Sequence, residues 1–396
     1  MTQAMTQAMT QAMTQAENRP ASVGGRILTP HGWVRGYLHV DAGTGSIGHI
    51  IADDAAPDDR LVLPGFIDLH VHGAGGTDIM EGGDAARRVA RLHARHGTTT
   101  LLGTTMTAPP EQIDRALHGL AAAIAAPDPD AAQVLGVHLE GPFLNCARLG
   151  AQPPLVTTGS IEVVRRWHAI APIRVLTLAP EVPGHLALIP QLAALGIRVQ
   201  AGHSAGTYAD GVAALEAGLA GFTHLFNGMS GMDHRAPGIA AAALAHGEFA
   251  EIIPDLRHVQ PGALHAALRA IPRLYAVTDA TAATGMPDGE YMLGSQRVLK
   301  CAGCVRLVLG DSLAGSALTM DQALRNLVDI GLTLEDASHR VTRFPAEYLG
   351  LQDRGRLVPG QRADLVVLGT DLQIRQVVIA GHALNPAEGN HAPVFS

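Results

Sequence analysis

The sequence has few cysteines, few aromatic residues and a deficit of positive charge, and each shortage argues against a class of protein. With three cysteines in 396 residues, nothing suggests a disulfide framework. The net charge of −8 disfavours nucleic acid or an anionic membrane as the main partner. No run of about 18 apolar residues occurs, and the N-terminus lacks a basic segment ahead of an apolar one. A soluble, cytoplasmic protein is therefore predicted.

What the chain does have is apolar residues of the aliphatic kind. Hydrophobic residues make up 47% of the sequence and aromatic residues only 4%, so a large core packed with Val, Leu and Ala is expected. The length allows one large domain and a smaller one. Residues 1–16 repeat MTQA four times, and residues 1–24 are predicted to form a disordered, low-complexity extension.

Both ends of the remaining chain carry short β-type runs. RILTP, GYLHVD and GSIGHII occur near the N-terminal end, and RADLVVLGTD and IRQVVIAGHAL near the C-terminal end. Because the termini of a compact domain often lie close together, residues 25–63 and 357–396 are predicted to pair in one small β-sandwich domain.

Residues 64–356 alternate apolar strands with helical stretches such as Asp84–His96 and Gln112–Ala126. Eight strands with helical connections favour an α/β fold of the (β/α)₈ barrel type, with an open doubly wound sheet as the alternative. The predicted strands are Phe66–Val71, Thr98–Gly103, Val134–Glu140, Arg174–Ala179, Arg198–His203, Gly221–Phe226, Ala250–Asp255 and Leu274–Asp279.

Metal-binding and acid–base residue types recur at the C-terminal ends of these strands, the face where barrel active sites are built. They are His70, His72, Glu140, His203, His224 and Asp279. One histidine at a strand end is more often structural, but six such residues at one end of successive strands predict a site for divalent Zn, Fe, Mn or Co. A bound ion would activate water and polarise an amide carbonyl, and Asp279 is the candidate for moving the proton.

Six segments resemble the successive motifs of N-acetylglucosamine-6-phosphate deacetylases. They are LPGFIDLHVHGAGG, GVHLEGPFLN, AGHSAGTYADG, GFTHLFNGM, LYAVTDATAATG and LAGSALTMDQA. The flanking PGQRADLVVL is similar to the amidohydrolase superfamily more broadly. The resemblance implies hydrolysis of N-acetyl-D-glucosamine 6-phosphate to D-glucosamine 6-phosphate and acetate.

The same resemblance implies roles for individual residues. Glu140, His203 and His224 would hold the principal ion, His70 and His72 would complete a second site, and Asp279 would be the general base and acid. Zinc is the foremost candidate, with one or two ions per subunit, and a homodimer is implied. The residues implied in substrate binding are Ala151, Gln152, Asn227, Gly228, Arg235, His258, Leu313, Ala314 and Gly315.

Two departures from the family pattern affect the substrate assignment. Gln152 stands where the family often has a histidine that holds the acetyl group, and an amide can donate a hydrogen bond but cannot titrate. Leu256 and Pro254 replace small residues in PDLRHV, close to His258. Arg235 would bind the phosphate, because guanidinium makes paired, charge-assisted hydrogen bonds to it.

Other functions stay open at this point. A related amidohydrolase could act on N-acetylgalactosamine 6-phosphate, on an unphosphorylated acetyl-hexosamine or on a cyclic amide. A non-catalytic sugar-phosphate binder is the alternative from a different class, although a binder has no need of a base beside a metal.

Overall fold

The computed structural model describes residues 20–310 and 312–384. The chain divides into two compact units, one made of the residues up to Gly65 and from Arg356 onwards, the other of Phe66–Gly355. The MTQA repeat lies outside the described residues. The first strand begins at Ser22, ahead of the predicted boundary at residue 25.

The described residues form twenty strands and ten α-helices. The strands are β1 (Ser22–Thr29), β2 (Gly32–Val40), β3 (Ile47–Ala52), β4 (Arg60–Pro64), β5 (Phe66–Val71), β6 (Gly73–Ala74), β7 (Thr77–Asp78), β8 (Thr98–Thr104), β9 (Gln133–Glu140), β10 (Ile173–Leu178), β11 (Arg198–Ala201), β12 (Gly221–Phe222), β13 (Phe249–Ile252), β14 (Arg273–Ala276), β15 (Gly289–Leu293), β16 (Gln296–Cys301), β17 (Cys304–Leu307), β18 (Leu365–Gly369), β19 (Ile374–Ile379) and β20 (His382–Ala383).

The helices are α1 (Ala85–Arg95), α2 (Pro110–Ala125), α3 (Ile161–Ile170), α4 (His185–Ala193), α5 (Tyr208–Glu216), α6 (Ile239–His246), α7 (Pro261–Ala270), α8 (Met320–Asp329), α9 (Leu334–Val341) and α10 (Arg343–Tyr348). Ile79–Glu81 and Cys146–Arg148 form single 3₁₀ turns. Among the described helices, none combines the length and the apolar character that crossing a bilayer requires.

The unit built from both chain ends is a seven-stranded sheet in the order β20-β19-β18-β4-β1-β2-β3. Hydrogen bonds from Ile47 N to Gln361 O (2.7 Å) and from Ala363 N to Gly45 O (3.0 Å) curl the sheet onto itself. Its inward side chains, Leu38 among them, then bury one another, as the facing layers of a sandwich do. The predicted pairing of the two chain ends in a β-sandwich is confirmed.

The larger unit contains all eight predicted strands. Six are parallel in the order β12-β11-β10-β9-β8-β5, and β13 pairs in parallel with β14. A hydrogen bond from Leu225 N to Glu251 O (2.9 Å) links β13 to the chain leaving β12, and one from Asp279 N to His70 O (3.0 Å) links the chain leaving β14 to β5. The circle of strands is thereby closed, and the predicted (β/α)₈ barrel is confirmed.

Regular strand pairing stops earlier than predicted in the second half of the barrel. β11, β12, β13 and β14 end at Ala201, Phe222, Ile252 and Ala276. His203, His224 and Asp279 follow with positive φ angles of 47°, 29° and 51°, a backbone region that residues with a Cβ rarely adopt. The extended conformation therefore ends before these side chains. The prediction that the four strands extend to His203, Phe226, Asp255 and Asp279 was wrong, because each strand ends earlier. Such conformations persist where the surroundings hold them, and they cluster at functional sites.

Local sequence signals fix the turns that leave the barrel. At the start of α5, Thr207 Oγ1 accepts a hydrogen bond from Asp210 N, and Asp210 Oδ2 accepts one from Thr207 N (2.7 Å). This capping box satisfies backbone donors that the first helical turn leaves unpaired. The helix therefore starts at Tyr208, five residues after His203, which keeps that histidine on the strand-to-helix turn.

Candidate metal centre

Two histidines that follow neighbouring strands converge on one carboxylate oxygen at the end of a third strand. Glu140, the last residue of β9, places Oε1 3.0 Å from His203 Nε2 and 3.0 Å from His224 Nε2. The two imidazole nitrogens are 3.2 Å apart, and all three residues are buried. The predicted principal ligands are therefore within the spacing that a single ion requires.

The other oxygen of Glu140 faces a second group. Glu140 Oε2 lies 3.2 Å from His72 Nε2 and 3.6 Å from His70 Nε2, and the two Nε2 atoms are 3.1 Å apart. His70 lies on β5 and His72 directly follows its last residue, and residues two apart in an extended chain point to one side. Glu140 thus stands between the two groups, as a carboxylate shared by two ions would.

The hydrogen bonds of His203 test whether these residues suit a cation. Its Nδ1 lies 2.9 Å from the carbonyl oxygen of Arg148, which only accepts, so Nδ1 carries the hydrogen. In the neutral ring Nε2 then has a lone pair, and that lone pair faces the carboxylate of Glu140 at 3.0 Å. Two acceptors this close need a positive charge between them, and the donor set fits a divalent ion such as Zn²⁺.

Asp279 adds a third carboxylate oxygen beside the paired histidines. Its Oδ1 lies 3.3 Å from His72 Nε2 and 3.5 Å from His70 Nε2. Burial raises the pKa of Asp279, but the charges and hydrogen bonds of His70 and His72 outweigh burial and lower it to about 2. Asp279 is therefore ionised at neutral pH and able to accept a proton.

These groups open into a cavity of about 320 Å³ that contains most of the residues predicted to bind substrate. The cavity is lined by His72, Met106, Glu140, Gly150, Ala151, Gln152, His203, His224, Asn227, Gly228, His258, Asp279, Leu293, Ser312, Leu313 and Gly315. Ala314, predicted to bind substrate, is fully buried and does not belong to this lining. Arg235 is exposed and also lies outside it.

Gln152 contacts Glu140, the candidate metal ligand, directly. Its Oε1 accepts a hydrogen bond from Thr107 N (2.8 Å), which leaves Nε2 to donate to Glu140 Oε2 (2.7 Å). Because a backbone N–H can only donate, the amide orientation is fixed. Gln152 is therefore held on the metal side of the cavity, and its role as an acetyl contact stays a prediction.

His258 presents a second polar group to the cavity from the loop after β13. Its Nδ1 lies 2.7 Å from Asp255 Oδ2, and both side chains are largely buried. Burial lowers the pKa of His258, but the bond to Asp255 outweighs it and raises the pKa above its usual value. Asp255 therefore favours the charged form of the ring, and that form suits an oxygen-rich or anionic ligand.

Two positions in the cavity wall require glycine because neighbouring atoms leave no room for a side chain. A Cβ on Gly228 would stand 3.0 Å from His203 Nδ1, and one on Gly315 would stand 2.9 Å from Asp279 O. Both have positive φ, at 60° and 56°. A larger residue at either position would displace a metal-site residue, so the glycines keep the site's geometry whether or not they touch substrate.

Sequence reasoning missed Glu251, Met106 and Leu293. Glu251 is fully buried on β13 and contacts His70. The sequence feature that could have identified it is a single acidic residue inside the apolar run FAEII. Met106 and Leu293 line the cavity but are apolar residues with no metal-binding or acid–base group of their own. Leu293 ends β15, part of an antiparallel sheet inserted after the eighth barrel strand.

Comparison with known proteins agrees with this arrangement. Residues 61–384 match the amidohydrolase family. An N-acetylgalactosamine-6-phosphate deacetylase of Escherichia coli O157:H7 is 38% identical over 367 residues, which cover 90% of this chain and 97% of the relative. An N-acetylglucosamine-6-phosphate deacetylase of Lysinibacillus sphaericus is also 38% identical, over 330 residues that cover 81% of this chain and 85% of the relative.

Solved structures show the same likeness. A mutant N-acetyl-D-glucosamine-6-phosphate deacetylase of Mycobacterium smegmatis, in complex with N-acetyl-D-glucosamine-6-phosphate, superposes with a TM-score of 0.86 at 35% identity, covering 93% of this chain and 100% of that one. The Thermotoga maritima N-acetylglucosamine-6-phosphate deacetylase gives 0.85 at 29% identity, with coverages of 92% and 100%. The chain therefore belongs to the amidohydrolase family and is similar over most of its length to deacetylases of acetylated hexosamine 6-phosphates.

Proposed function

We propose that the chain hydrolyses the amide of N-acetyl-D-glucosamine 6-phosphate, releasing acetate and D-glucosamine 6-phosphate. One observation carries the proposal: four imidazoles from the ends of three strands and the carboxylate of Glu140 converge beside an ionised Asp279, at the wall of a cavity large enough for a small ligand. Relatives of this chain carry that activity in their names. The active site belongs to the unit Phe66–Gly355, whose described residues include the whole cluster.

The roles of the residues follow from their positions. Glu140, His203 and His224 would hold the principal divalent ion, and His70 and His72 a second one that shares Glu140. Such an ion supplies an activated water and a polarised amide carbonyl. Asp279, ionised and open to the cavity, takes the proton of the attacking water and returns it to the departing amine nitrogen.

Substrate choice provides the first test. Acetate release is measured with N-acetylglucosamine 6-phosphate, its galacto epimer and both dephosphorylated sugars, all with metal-replete protein. We expect the highest kcat/KM with N-acetylglucosamine 6-phosphate. No acetate from any of the four sugars would contradict the deacetylase proposal and favour a binder.

The galacto epimer is the second candidate substrate. The Escherichia coli O157:H7 relative, 97% of whose length aligns with this chain, is named as an N-acetylgalactosamine-6-phosphate deacetylase. Gln152, one departure from the family pattern, changes the wall that a sugar would meet, whereas Leu256, the other, lies outside the lining. A kcat/KM that is higher for the galacto epimer would reassign the substrate and leave the reaction type unchanged.

The phosphate group is proposed to be bound by Arg235. Within the described residues, no lysine or arginine lines the cavity, so a phosphate there lacks a permanent cation. Arg235 lies on an exposed loop, where it can be presented to the mouth of the cavity or to that of a second copy. The homodimer and the cytoplasmic location stay part of this proposal.

Replacing Arg235 with Ala is expected to raise KM for the phosphorylated sugar by about 10-fold or more, since charge-assisted hydrogen bonds contribute about 1.5–3 kcal/mol. KM for the dephosphorylated sugar should change little. Steady-state kinetics on both sugars give the comparison, with Arg269→Ala, an exposed arginine on α7, as the control. Equal effects on the two sugars would remove Arg235 from phosphate binding.

A further inference from the structure

Behind the metal-binding histidines lies a fully buried carboxylate, that of Glu251 on β13. Its Oε2 lies 3.0 Å from His70 Nδ1 and accepts a hydrogen bond from His224 N at 3.3 Å. Its Oε1 accepts hydrogen bonds from Gln200 Nε2 (3.2 Å) and Tyr275 Oη (3.4 Å). One side chain therefore connects β5, β11, β14 and the chain leaving β12 to its own strand.

The chemistry of these four contacts requires a carboxylate. The backbone N–H of His224 can only donate, and the amide of Gln200 is turned by Thr223, whose hydroxyl donates to Gln200 Oε1 (2.7 Å), so that its Nε2 faces Glu251. An ionised carboxylate only accepts and can take all four bonds, whereas an amide would turn an NH₂ group toward other donors.

Glu251 also determines which ring nitrogen of His70 carries the hydrogen. With Nδ1–H donated to Glu251, the neutral ring of His70 keeps its lone pair on Nε2. That atom faces His72 Nε2 at 3.1 Å and Glu140 Oε2 at 3.6 Å. A side-chain bond of this kind holds a metal-binding imidazole in the correct tautomer and orientation.

We infer that Glu251 is a positioning residue of the metal centre, which acts through His70 to hold the ion of the His70–His72 group. The inference rests on the proposed metal-binding function of the site. It makes no use of the sugar, so metal binding tests it separately from deacetylation.

The experiment measures Co²⁺ binding to metal-free protein by equilibrium dialysis, with the visible spectrum of bound Co²⁺ as a second readout. Glu251→Gln should weaken binding of the less tightly held ion by about 10–100-fold, the usual cost of losing a partner of a metal ligand. Glu248→Gln, at an exposed glutamate ahead of the same strand, should bind Co²⁺ as the unaltered chain does.

A double-mutant cycle separates positioning from a general structural role. If Glu251 acts through His70, adding Glu251→Gln to His70→Ala should change Co²⁺ affinity by less than about threefold. Equal losses with and without His70, or unchanged affinity in Glu251→Gln, would overturn the inference. If Glu251→Gln does not fold, Tyr275→Phe, which removes one bond to Glu251, replaces it in the same cycle under the same criteria.

Discussion

Asp279→Asn is expected to lower kcat for acetate release by about 10²–10⁴-fold, the usual contribution of a positioned acid–base group. This corresponds to about 3–5 kcal/mol of transition-state stabilisation. An amide at this position cannot accept the proton of the attacking water at neutral pH. The backbone should tolerate the change, because φ at residue 279 is 51° and asparagine is among the residues most often found in that region. Steady-state kinetics at saturating substrate measure the loss.

Metal content distinguishes lost proton transfer from a lost ion. The variant should retain metal, because the three residues of the principal group, centred on Glu140 Oε1, remain intact. Elemental analysis after gel filtration checks this, and Asp54→Asn, at an exposed aspartate far along the chain, controls for handling. Near-normal turnover in Asp279→Asn, with metal bound, would assign the proton transfer to another group.

The barrel and the convergence of its candidate metal ligands were predictable because the relevant signals are local. Most barrel strands are short apolar runs with a polar residue at or shortly after the C-terminal end, as Glu140 is at the end of β9. Parallel strands of a closed barrel must bring such ends to one rim, so convergence follows from topology without any distance information. This is why His70, His72, His203 and His224 can be grouped from the sequence alone.

The contacts that orient those ligands were not predictable, because they join residues far apart in the chain. His70 and Glu251 are separated by 181 positions, and nothing around either residue marks the other as its partner. The glutamine that replaces a histidine at residue 152 was expected to face substrate, and only the bond from Thr107 N shows that its amide turns to Glu140. Long-range pairing of this kind depends on the packed interior.

The sequence also could not predict which residues of a loop reach the cavity. Leu313, Ala314 and Gly315 are consecutive, but only the first and last line the cavity, because Ala314 turns into the core. A motif assigns a whole segment to a site, whereas the alternation of side chains decides which members reach it. Arg235 shows the same limit, since its motif suggested a cavity residue and the structure places it on an exposed loop.

Replacing Glu140 with Gln is expected to remove the tightly held metal and, with it, measurable deacetylation. Glu140 contributes one oxygen to each group of histidines, so no other side chain of the described site can replace it. Loss of a direct ligand should weaken metal binding by more than about 100-fold, the upper end of what an indirect partner contributes. Metal content after dialysis against a chelator measures the loss, and the far-UV circular dichroism spectrum checks that the barrel remains folded.

Glu181→Gln is the matched control for this prediction. Glu181 is a half-buried carboxylate of the same unit that accepts hydrogen bonds from Asn145 (2.8 Å) and Ser204 (2.7 Å) and belongs to neither metal-binding group. The same chemical change there should leave the metal in place, because no imidazole nitrogen loses its negative partner. A Glu140→Gln protein that kept its metal through dialysis would mean that the imidazoles alone bind the ion, and the shared-carboxylate arrangement would have to be abandoned.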